Sequence, residues 1–259
     1  MTTSSRLFAA LVLALPAAAA CAVPLPPIRV ILVGDSTMAH QNGYGDALCA
    51  HFTAEVTCVN LGANGRSSSS FRSEGRWAEV QRMLSDDAGK FSANYVLVQF
   101  GHNDQPGKRS ATDLVTGFPA NMARYAQETR ALGGVPVLVT PLTRRTFKGA
   151  YLRDTLGPWA EATRRAAAQE HAILLDLNAE SAEAIQQMGQ AEADTLAMEP
   201  PSKNDPVPTD PNKVEPVGKT KSRFDWTHLG QKGADFFGAM VARELGQAAP
   251  AIRPYLRKN

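Results

Sequence analysis

A serine and an aspartate stand at the end of an apolar segment near the start of the chain, in the stretch IRVILVGDSTMAH. Asp35 and Ser36 are residue types that often cap the helix after a strand. Ser36 could instead be a nucleophile at the edge of a hydrophobic core, because a serine hydroxyl attacks an ester once a nearby base removes its proton. The partners that the rest of the chain offers to Ser36 must decide between these interpretations.

Among the histidines that could act as this base, His228 has a distinctive neighbour. In the stretch FDWTHLG, Asp225 precedes His228 by three residues. On one turn, this spacing lets the carboxylate contact Nδ1 of the imidazole while Nε2 faces outward, as a serine nucleophile requires of its base. The alternative is that Asp225 only caps the helix that follows. The other candidates, His40, His51 and His171, fit a helix face or a surface turn.

Two further turns contain groups that could bind the oxyanion of an acyl-transfer reaction. Gly65 lies in LGANGRSSSSF, and a glycine allows the backbone to approach a ligand closely. Asn103 lies in GHND and carries a side-chain amide. The backbone N–H of Ser36 is the third candidate donor. Because asparagine is also a common turn former, the case for Asn103 depends on its neighbours.

Five apolar segments predict the strands that position these turns. Each segment is apolar on both faces, as buried parallel strands require. The alternation with helical patterns predicts a three-layer α/β/α sandwich around a five-stranded parallel sheet of flavodoxin-like order 2-1-3-4-5. The predicted strands are Arg29–Gly34, Val56–Asn60, Tyr95–Phe100, Val135–Thr140 and Ala172–Leu177, and the predicted helices cover 74–84, 118–132, 158–171, 181–198 and 230–245.

The predicted topology brings the polar turns together. The carboxyl ends of parallel strands meet at one edge of the sheet, and ligands bind there beside the point where the strand order reverses. The turns with Ser36, Gly65 and Asn103 follow the first, second and third predicted strands. We therefore expect these residues to share one rim, with Asp225 and His228 ahead of the last helix.

Four ordered blocks of the chain resemble the SGNH branch of the GDSL hydrolases. The strings GDSTMA, NGRSSSSF, VQFGHNDQ and DWTHLG are similar to its rhamnogalacturonan acetylesterase group, over nearly the whole chain beyond residue 22. This resemblance implies Ser36 as nucleophile, His228 as base and Asp225 as the carboxylate that orients the base. It also implies Ser36, Gly65 and Asn103 as oxyanion donors.

The resemblance implies a serine esterase that removes O-acetyl groups from a plant cell-wall polysaccharide through an acetyl-enzyme, with no cofactor and no metal. We expect a pectic, rhamnogalacturonan-type substrate; the alternative is an acetylxylan esterase or a broad-specificity GDSL esterase. A metallohydrolase with His102, Asp104, Asp225 and His228 as ligands is a different class, but it would leave Ser36 without a role. A carbohydrate-binding protein with an inactive site is a third possibility.

Arginines beside the catalytic turns favour an anionic sugar. Arg144 and Arg145 follow the fourth predicted strand, and Arg66 follows the oxyanion glycine. Each of them alone is explained as a solvated surface residue, but three together would form a positive rim suited to a polyuronate. Asp35 and His102 are the remaining candidates for substrate binding, because both adjoin the catalytic turns.

The first residues of the chain predict export. Residues 1–22 contain Arg6 and the run LFAALVLALPAAAACA, which is too short for a membrane span and ends in small residues, as a secretory signal does. Cleavage after Ala22 would leave one domain over 23–259 in the periplasm or the medium. Lipid attachment at Cys21, giving an outer-membrane lipoprotein, is the alternative.

Composition adds three expectations about the exported chain. A formal net charge of +2 in 259 residues, with no basic run, argues against a nucleic-acid partner. Cys49 and Cys58 either close a disulfide in an oxidising compartment or are buried free thiols. Residues 199–223 are rich in proline, lysine and aspartate, which predicts an exposed loop inserted in the domain.

Overall fold

Five parallel strands form the central sheet of the computed structural model, which describes residues 25–199 and 224–258. The strands are β1 (Ile28–Gly34), β2 (Val56–Asn60), β3 (Asn94–Gln99), β4 (Val135–Val139), β5 (Phe147–Lys148), β6 (Tyr151–Leu152) and β7 (Ile173–Leu175). The order in the central sheet is β2-β1-β3-β4-β7, while β5 and β6 pair in a separate antiparallel hairpin. Since β7 is the fifth strand of the central sheet along the chain, the predicted order 2-1-3-4-5 is confirmed.

Successive residues of the inner strands β1, β3 and β4 pack on opposite faces of the sheet, and both faces are buried there. The edge strand β2 is only partly buried, and its Thr57 is exposed. In β1, Val30 and Leu32 belong to one hydrophobic cluster, whereas Ile31 and Val33 belong to the other. None of these four side chains is exposed. Helices that cross over on both sides of a parallel sheet require strands of this kind, which is why the strands are continuous apolar runs in the sequence.

Helices cover the two faces and complete the predicted three layers. They are α1 (Gly45–Ala50), α2 (Ser70–Ser73), α3 (Arg76–Asp86), α4 (Gly117–Ala131), α5 (Gly157–Gln169), α6 (Leu177–Asp194) and α7 (Gln231–Ala248), followed by a 3₁₀ helix over Pro250–Tyr255. The helices α1, α6 and α7 pack on one face, and α3, α4 and α5 pack on the other. Within the described part of the chain, no helix is long and apolar enough to cross a membrane.

Helix α6 differs most from its predicted bounds of 181–198. It begins at Leu177, directly after β7, and ends at Asp194. Gly189 interrupts it with φ of +72°, a conformation that glycine adopts without steric cost. The sequence pattern also missed the β5–β6 hairpin and the 3₁₀ helix, because such short elements are not long enough to show a period.

A disulfide joins Cys49 of α1 to Cys58 of β2, with the two Cα atoms 5.6 Å apart. It connects β2, at the edge of the sheet, to the helix that precedes this strand. The two cysteines therefore form a disulfide in the structure and are not buried free thiols. The predicted signal segment and, apart from Glu199, the predicted loop insert lie outside the described residues.

Candidate active site

The side chains of Ser36, His228 and Asp225 form a continuous chain of hydrogen bonds at the carboxyl edge of the sheet. Oγ of Ser36 lies 2.8 Å from Nε2 of His228, and Nδ1 of His228 lies 2.8 Å from Oδ2 of Asp225. Ser36 follows β1, while the other two residues lie on the turn ahead of α7. This arrangement allows the histidine to take the serine proton while the carboxylate orients the imidazole ring.

The carboxylate of Asp225 also shapes the turn that carries His228. Its Oδ1 accepts hydrogen bonds from the N–H groups of Thr227 at 2.7 Å and His228 at 2.6 Å. Partial burial by itself would raise the pKa of Asp225, but the hydrogen bonds and the charge interaction with His228 hold this pKa well below its usual value. Asp225 is therefore an anion beside the ring that would become charged during proton transfer.

A buried network of hydrogen bonds holds the turn of Ser36. Oδ1 of Asp35 accepts hydrogen bonds from the N–H of Thr37 at 2.9 Å and from its hydroxyl at 2.8 Å. Nε2 of Gln99 donates to the same hydroxyl at 2.6 Å, and the hydroxyl of Tyr44 donates to Oε1 of Gln99 at 2.7 Å. Sequence reasoning missed this support, although a glutamine inside the apolar run YVLVQF was a visible signal for it.

Asp35 and His102 lie behind this turn rather than on the substrate surface. Their side chains are 0% and 3% exposed, and Nδ1 of His102 lies 3.3 Å from Oδ2 of Asp35. Burial lowers the pKa of His102 from its usual value, although the nearby Asp35 opposes this effect. The prediction that both residues contact the substrate is wrong, because neither side chain is accessible from the surface.

Hydrogen bonds tie the loop after β2 to the loop after β3. Nδ2 of Asn103 donates to the carbonyl of Arg66 at 3.1 Å. The next residue, Asp104, accepts hydrogen bonds from the N–H of Ser68 at 3.0 Å and from its hydroxyl at 2.6 Å. Burial raises the pKa of Asp104 to about 6, against the effect of these hydrogen bonds. The two loops that carry the predicted oxyanion donors are thus held side by side.

Two of the predicted oxyanion donors have backbone N–H groups without a protein partner. In the described part of the chain, the N–H groups of Ser36 and Gly65 donate to no protein acceptor. Gly65 has φ of +77°, and a Cβ atom at this position would face open space. The left-handed backbone favours glycine, and the open space in front of it leaves room for a ligand.

The predicted positive rim of three arginines is wrong for two of its members. The side chains of Arg144 and Arg145 are 2% and 0% exposed, because the segment after β4 passes beneath the turn that carries His228. Burial lowers the pKa of each guanidinium to about 10, so both remain charged at neutral pH. Arg66 is partly exposed, with Nε 2.9 Å from a carboxylate oxygen of Glu74.

The four residues of the metal-site alternative do not form one cluster. His102 faces Asp35, Asp104 binds a serine of the neighbouring loop, and Asp225 and His228 contact each other. Over residues 25–199 and 224–258, the structure contains no group of three or more His, Cys, Asp or Glu side chains placed to hold a metal ion.

Sequence comparison agrees with this geometry. A model of the GDSL-like lipase/acylhydrolase family matches residues 32–236, which include the three triad residues. Two similar proteins come from Bacillus subtilis strain 168. The rhamnogalacturonan acetylesterase RhgT is 28% identical over 239 residues, covering 89% of this chain and 94% of the relative. The probable rhamnogalacturonan acetylesterase YesY is 26% identical over 229 residues, covering 84% and 94%. The resemblance predicted from the four blocks is thereby confirmed.

Solved structures share the fold. An acetylxylan esterase of Geobacillus stearothermophilus, solved as a catalytic mutant, superposes with a TM-score of 0.59 at 17% identity, over 84% of this chain and 94% of that chain. A Bacillus subtilis protein superposes with a TM-score of 0.64 at 21% identity over 87% of this chain, which spans only 57% of that protein. At such identities, the likeness shows the α/β/α architecture alone.

Proposed function

We propose that this chain, which belongs to the GDSL-like lipase/acylhydrolase family, is a serine esterase and removes O-acetyl groups from a polysaccharide. The observation that carries the proposal is the 2.8 Å contact between Oγ of Ser36 and Nε2 of His228, with Asp225 on the other side of the ring. The acetyl and carbohydrate parts are supported by the two Bacillus relatives, whose names describe that activity.

The proposed reaction has two steps. Nε2 of His228 takes the proton of Ser36 as Oγ bonds to the acetyl carbonyl carbon, and the sugar oxygen leaves with that proton. The N–H groups of Ser36 and Gly65 and the amide of Asn103 are the proposed donors to the oxyanion. His228 then takes a proton from water as the water oxygen bonds to the acetyl carbon, and it gives that proton to Oγ of Ser36 as the acyl–oxygen bond breaks and acetic acid leaves. None of these steps requires a cofactor.

The experiment that tests this proposal compares the wild type with Ser36→Ala and His228→Ala on a chromogenic acetate ester. Each variant should retain the wild-type circular dichroism spectrum and lose nearly all turnover, because each removes one partner of the proton transfer. Thr163→Ala is a control that should keep wild-type turnover, since Thr163 is also a buried hydroxyl residue but lies in α5, where it donates to the carbonyl of Trp159. A folded Ser36→Ala variant with wild-type turnover would refute the serine mechanism.

We further propose that the natural substrate is pectic, of the rhamnogalacturonan type, as the names of the two relatives suggest. A second feature that supports an anionic sugar is a cavity of about 350 Å³ lined by Ser69, Arg72, Ser73, Asn121 and Arg124. Ser69, which lines this cavity, lies four residues beyond Gly65, the proposed oxyanion donor of the same loop.

The charge around this cavity is positive. Arg72 and Arg124 both face the single carboxylate of Glu128, with nitrogen–oxygen distances of 2.6 and 3.6 Å. One anion therefore balances only one of the two cations. The side chain of Arg124 is 59% exposed, so its guanidinium is available to a uronate carboxylate, which arginine binds in a bidentate manner.

Acetate release at low salt tests the pectic assignment, with acetylated rhamnogalacturonan and acetylated xylan as paired substrates. We expect faster release from rhamnogalacturonan, and a smaller preference in Arg124→Ala and at high salt. Arg130→Ala is the matched control, because Arg130 is an exposed arginine of the same helix that does not line the cavity. Equal rates on the two polymers would leave the esterase intact and make the pectic assignment wrong, in favour of a broad-specificity esterase.

We propose that residues 1–22 direct the chain to the periplasm or the medium, where a polymeric substrate is accessible; lipid attachment at Cys21 is the alternative route. The disulfide between Cys49 and Cys58 is consistent with an oxidising compartment. Intact mass of the exported protein separates the routes, because one product begins at Val23 and the other carries a lipid on Cys21.

A further inference from the structure

The fully buried side chain of Arg145 contacts the backbone of the turn that carries Asp225 and His228. Its Nη2 donates to the carbonyl oxygens of Asp225 at 2.9 Å and His228 at 2.8 Å, and its Nη1 donates to that of Thr227 at 3.5 Å. The backbone N–H of Arg145 donates to the carbonyl of Trp226 at 2.9 Å. Arg145 thus binds the carbonyl oxygen of every residue from 225 to 228.

These carbonyl groups are the main compensation for burying the charge of Arg145. A buried guanidinium is costly unless its donors are satisfied. In the described part of the chain, no carboxylate lies within ion-pair distance of Arg145, although the charges of Asp225 and Asp194 act on it from further away. Its side-chain hydrogen bonds all go to this one turn. Arg145 is therefore not explained as a member of a structural salt bridge.

The turn depends on contacts of this kind because it lies outside regular structure. Helix α7 begins only at Gln231, so the carbonyl groups of 225–228 have no helical partners within the turn. The carboxylate of Asp225 binds the N–H groups on one side of the turn, and Arg145 binds the carbonyl groups on the other. The two residues together fix the backbone from which the His228 ring projects.

We propose that Arg145 is a positioning residue that sets Nε2 of His228 at hydrogen-bond distance from Oγ of Ser36. This inference rests on the proposed function, since it assumes that Ser36 is the nucleophile. Lysine should replace Arg145 only in part, because an ammonium group donates from one point and lacks the fork that reaches several carbonyl groups at once.

The test compares Arg145→Met and Arg145→Lys with Arg29→Met. Arg29 is a matched control, because it is also buried, at 3% exposure, and donates to Asn94, Asp87 and the carbonyl of Met83. It lies at the start of β1, at the opposite end of the strand from Ser36. For each variant we would measure the melting temperature, kcat/KM on a small neutral acetate ester, and the rate at which a fluorophosphonate labels Ser36.

In Arg145→Met, kcat/KM and the labelling rate should fall together by roughly 10- to 100-fold, the size of effect that a small misplacement of a catalytic group produces. Arg145→Lys should be intermediate. Arg29→Met should melt at a lower temperature and keep both rates, because a purely structural arginine affects only the folded fraction. This contrast separates positioning from a general loss of stability.

Wild-type labelling in folded Arg145→Met would overturn the inference. If that variant does not fold, Arg145→Lys provides the same test, and its labelling at the wild-type rate would overturn the inference as well. A wild-type protein whose Ser36 the fluorophosphonate does not label would instead contradict the proposed function. The two failures are therefore distinguishable.

Discussion

Oγ of Ser36 and Nε2 of His228 lie 2.8 Å apart although 192 residues separate them along the chain. Ser36 is held by buried partners at the end of β1, and His228 is held by a turn that both Asp225 and Arg145 bind. The contact therefore joins two separately supported segments. Its geometry should respond to changes in either support.

Asp225→Asn should lower kcat on an acetate ester by a factor on the order of 10⁴, because an amide does not hold the histidine in the required tautomer. Steady-state kinetics on the folded variant measure this loss. Asp46→Asn is the control, since Asp46 also lies 2.8 Å from Nδ1 of a histidine, the exposed His40. Equal losses in the two variants would mean that the effect does not come from the catalytic pair.

Asn103→Ala should lower kcat and leave KM nearly unchanged, because an oxyanion donor acts mainly in the transition state. Loss of one such donor costs about 3 kcal/mol of transition-state stabilisation. The amide also donates to the carbonyl of Arg66, so the melting temperature should be recorded beside the kinetics. A change confined to KM would show that Asn103 positions the substrate and does not bind the oxyanion.

Asp104 should make the folded protein less stable as the pH rises from 4 to 7. Its pKa is about 6 in the folded protein against an ordinary value of 3.8, so the unfolded chain releases this proton first. The stabilisation that protonated Asp104 gives the folded protein is therefore fully present below about pH 4, and it is lost as the pH rises through 6.

Urea unfolding of the wild type and of Asp104→Asn measures this effect. As the pH rises from 4 to 7, the free energy of unfolding of the wild type should fall by about 3 kcal/mol relative to that of the variant, at 1.36 kcal/mol per unit of pKa. The asparagine carbonyl retains an acceptor for Ser68. A difference that does not change with pH would show that Asp104 titrates normally.

The disulfide should be present in exported protein and should stabilise the domain. Under non-reducing conditions the intact mass should be two hydrogens lower than that of the dithiol. The double variant Cys49→Ser with Cys58→Ser should lose about 2.5 kcal/mol of stability, the entropy that closing a loop of about ten residues removes from the unfolded chain. Two free thiols in exported protein would contradict the bridge.

The strand order and the three residues of the hydrogen-bond chain, Ser36, His228 and Asp225, could be predicted from the sequence alone. The strands are apolar on both faces, so the core positions are visible in the pattern. The turns with Ser36, Gly65 and Asn103 directly follow strands, so the topology determines their edge of the sheet. The spacing of Asp225 and His228 is local, and a local spacing can be read without knowledge of distant contacts.

Only the tertiary structure decided which polar side chains near these turns are buried. Arginine is a residue type that usually lies at the surface, yet Arg145 is buried. Its partners are backbone carbonyl groups at least 80 residues away, and a pattern of side chains in the sequence does not reveal such contacts. Asp35 and His102 also lie in the interior and not on the substrate surface, with Nδ1 of His102 3.3 Å from Oδ2 of Asp35, and 67 positions of chain separate the two residues. A buried polar group is stable only when its partners are in place, and those partners are brought together by folding.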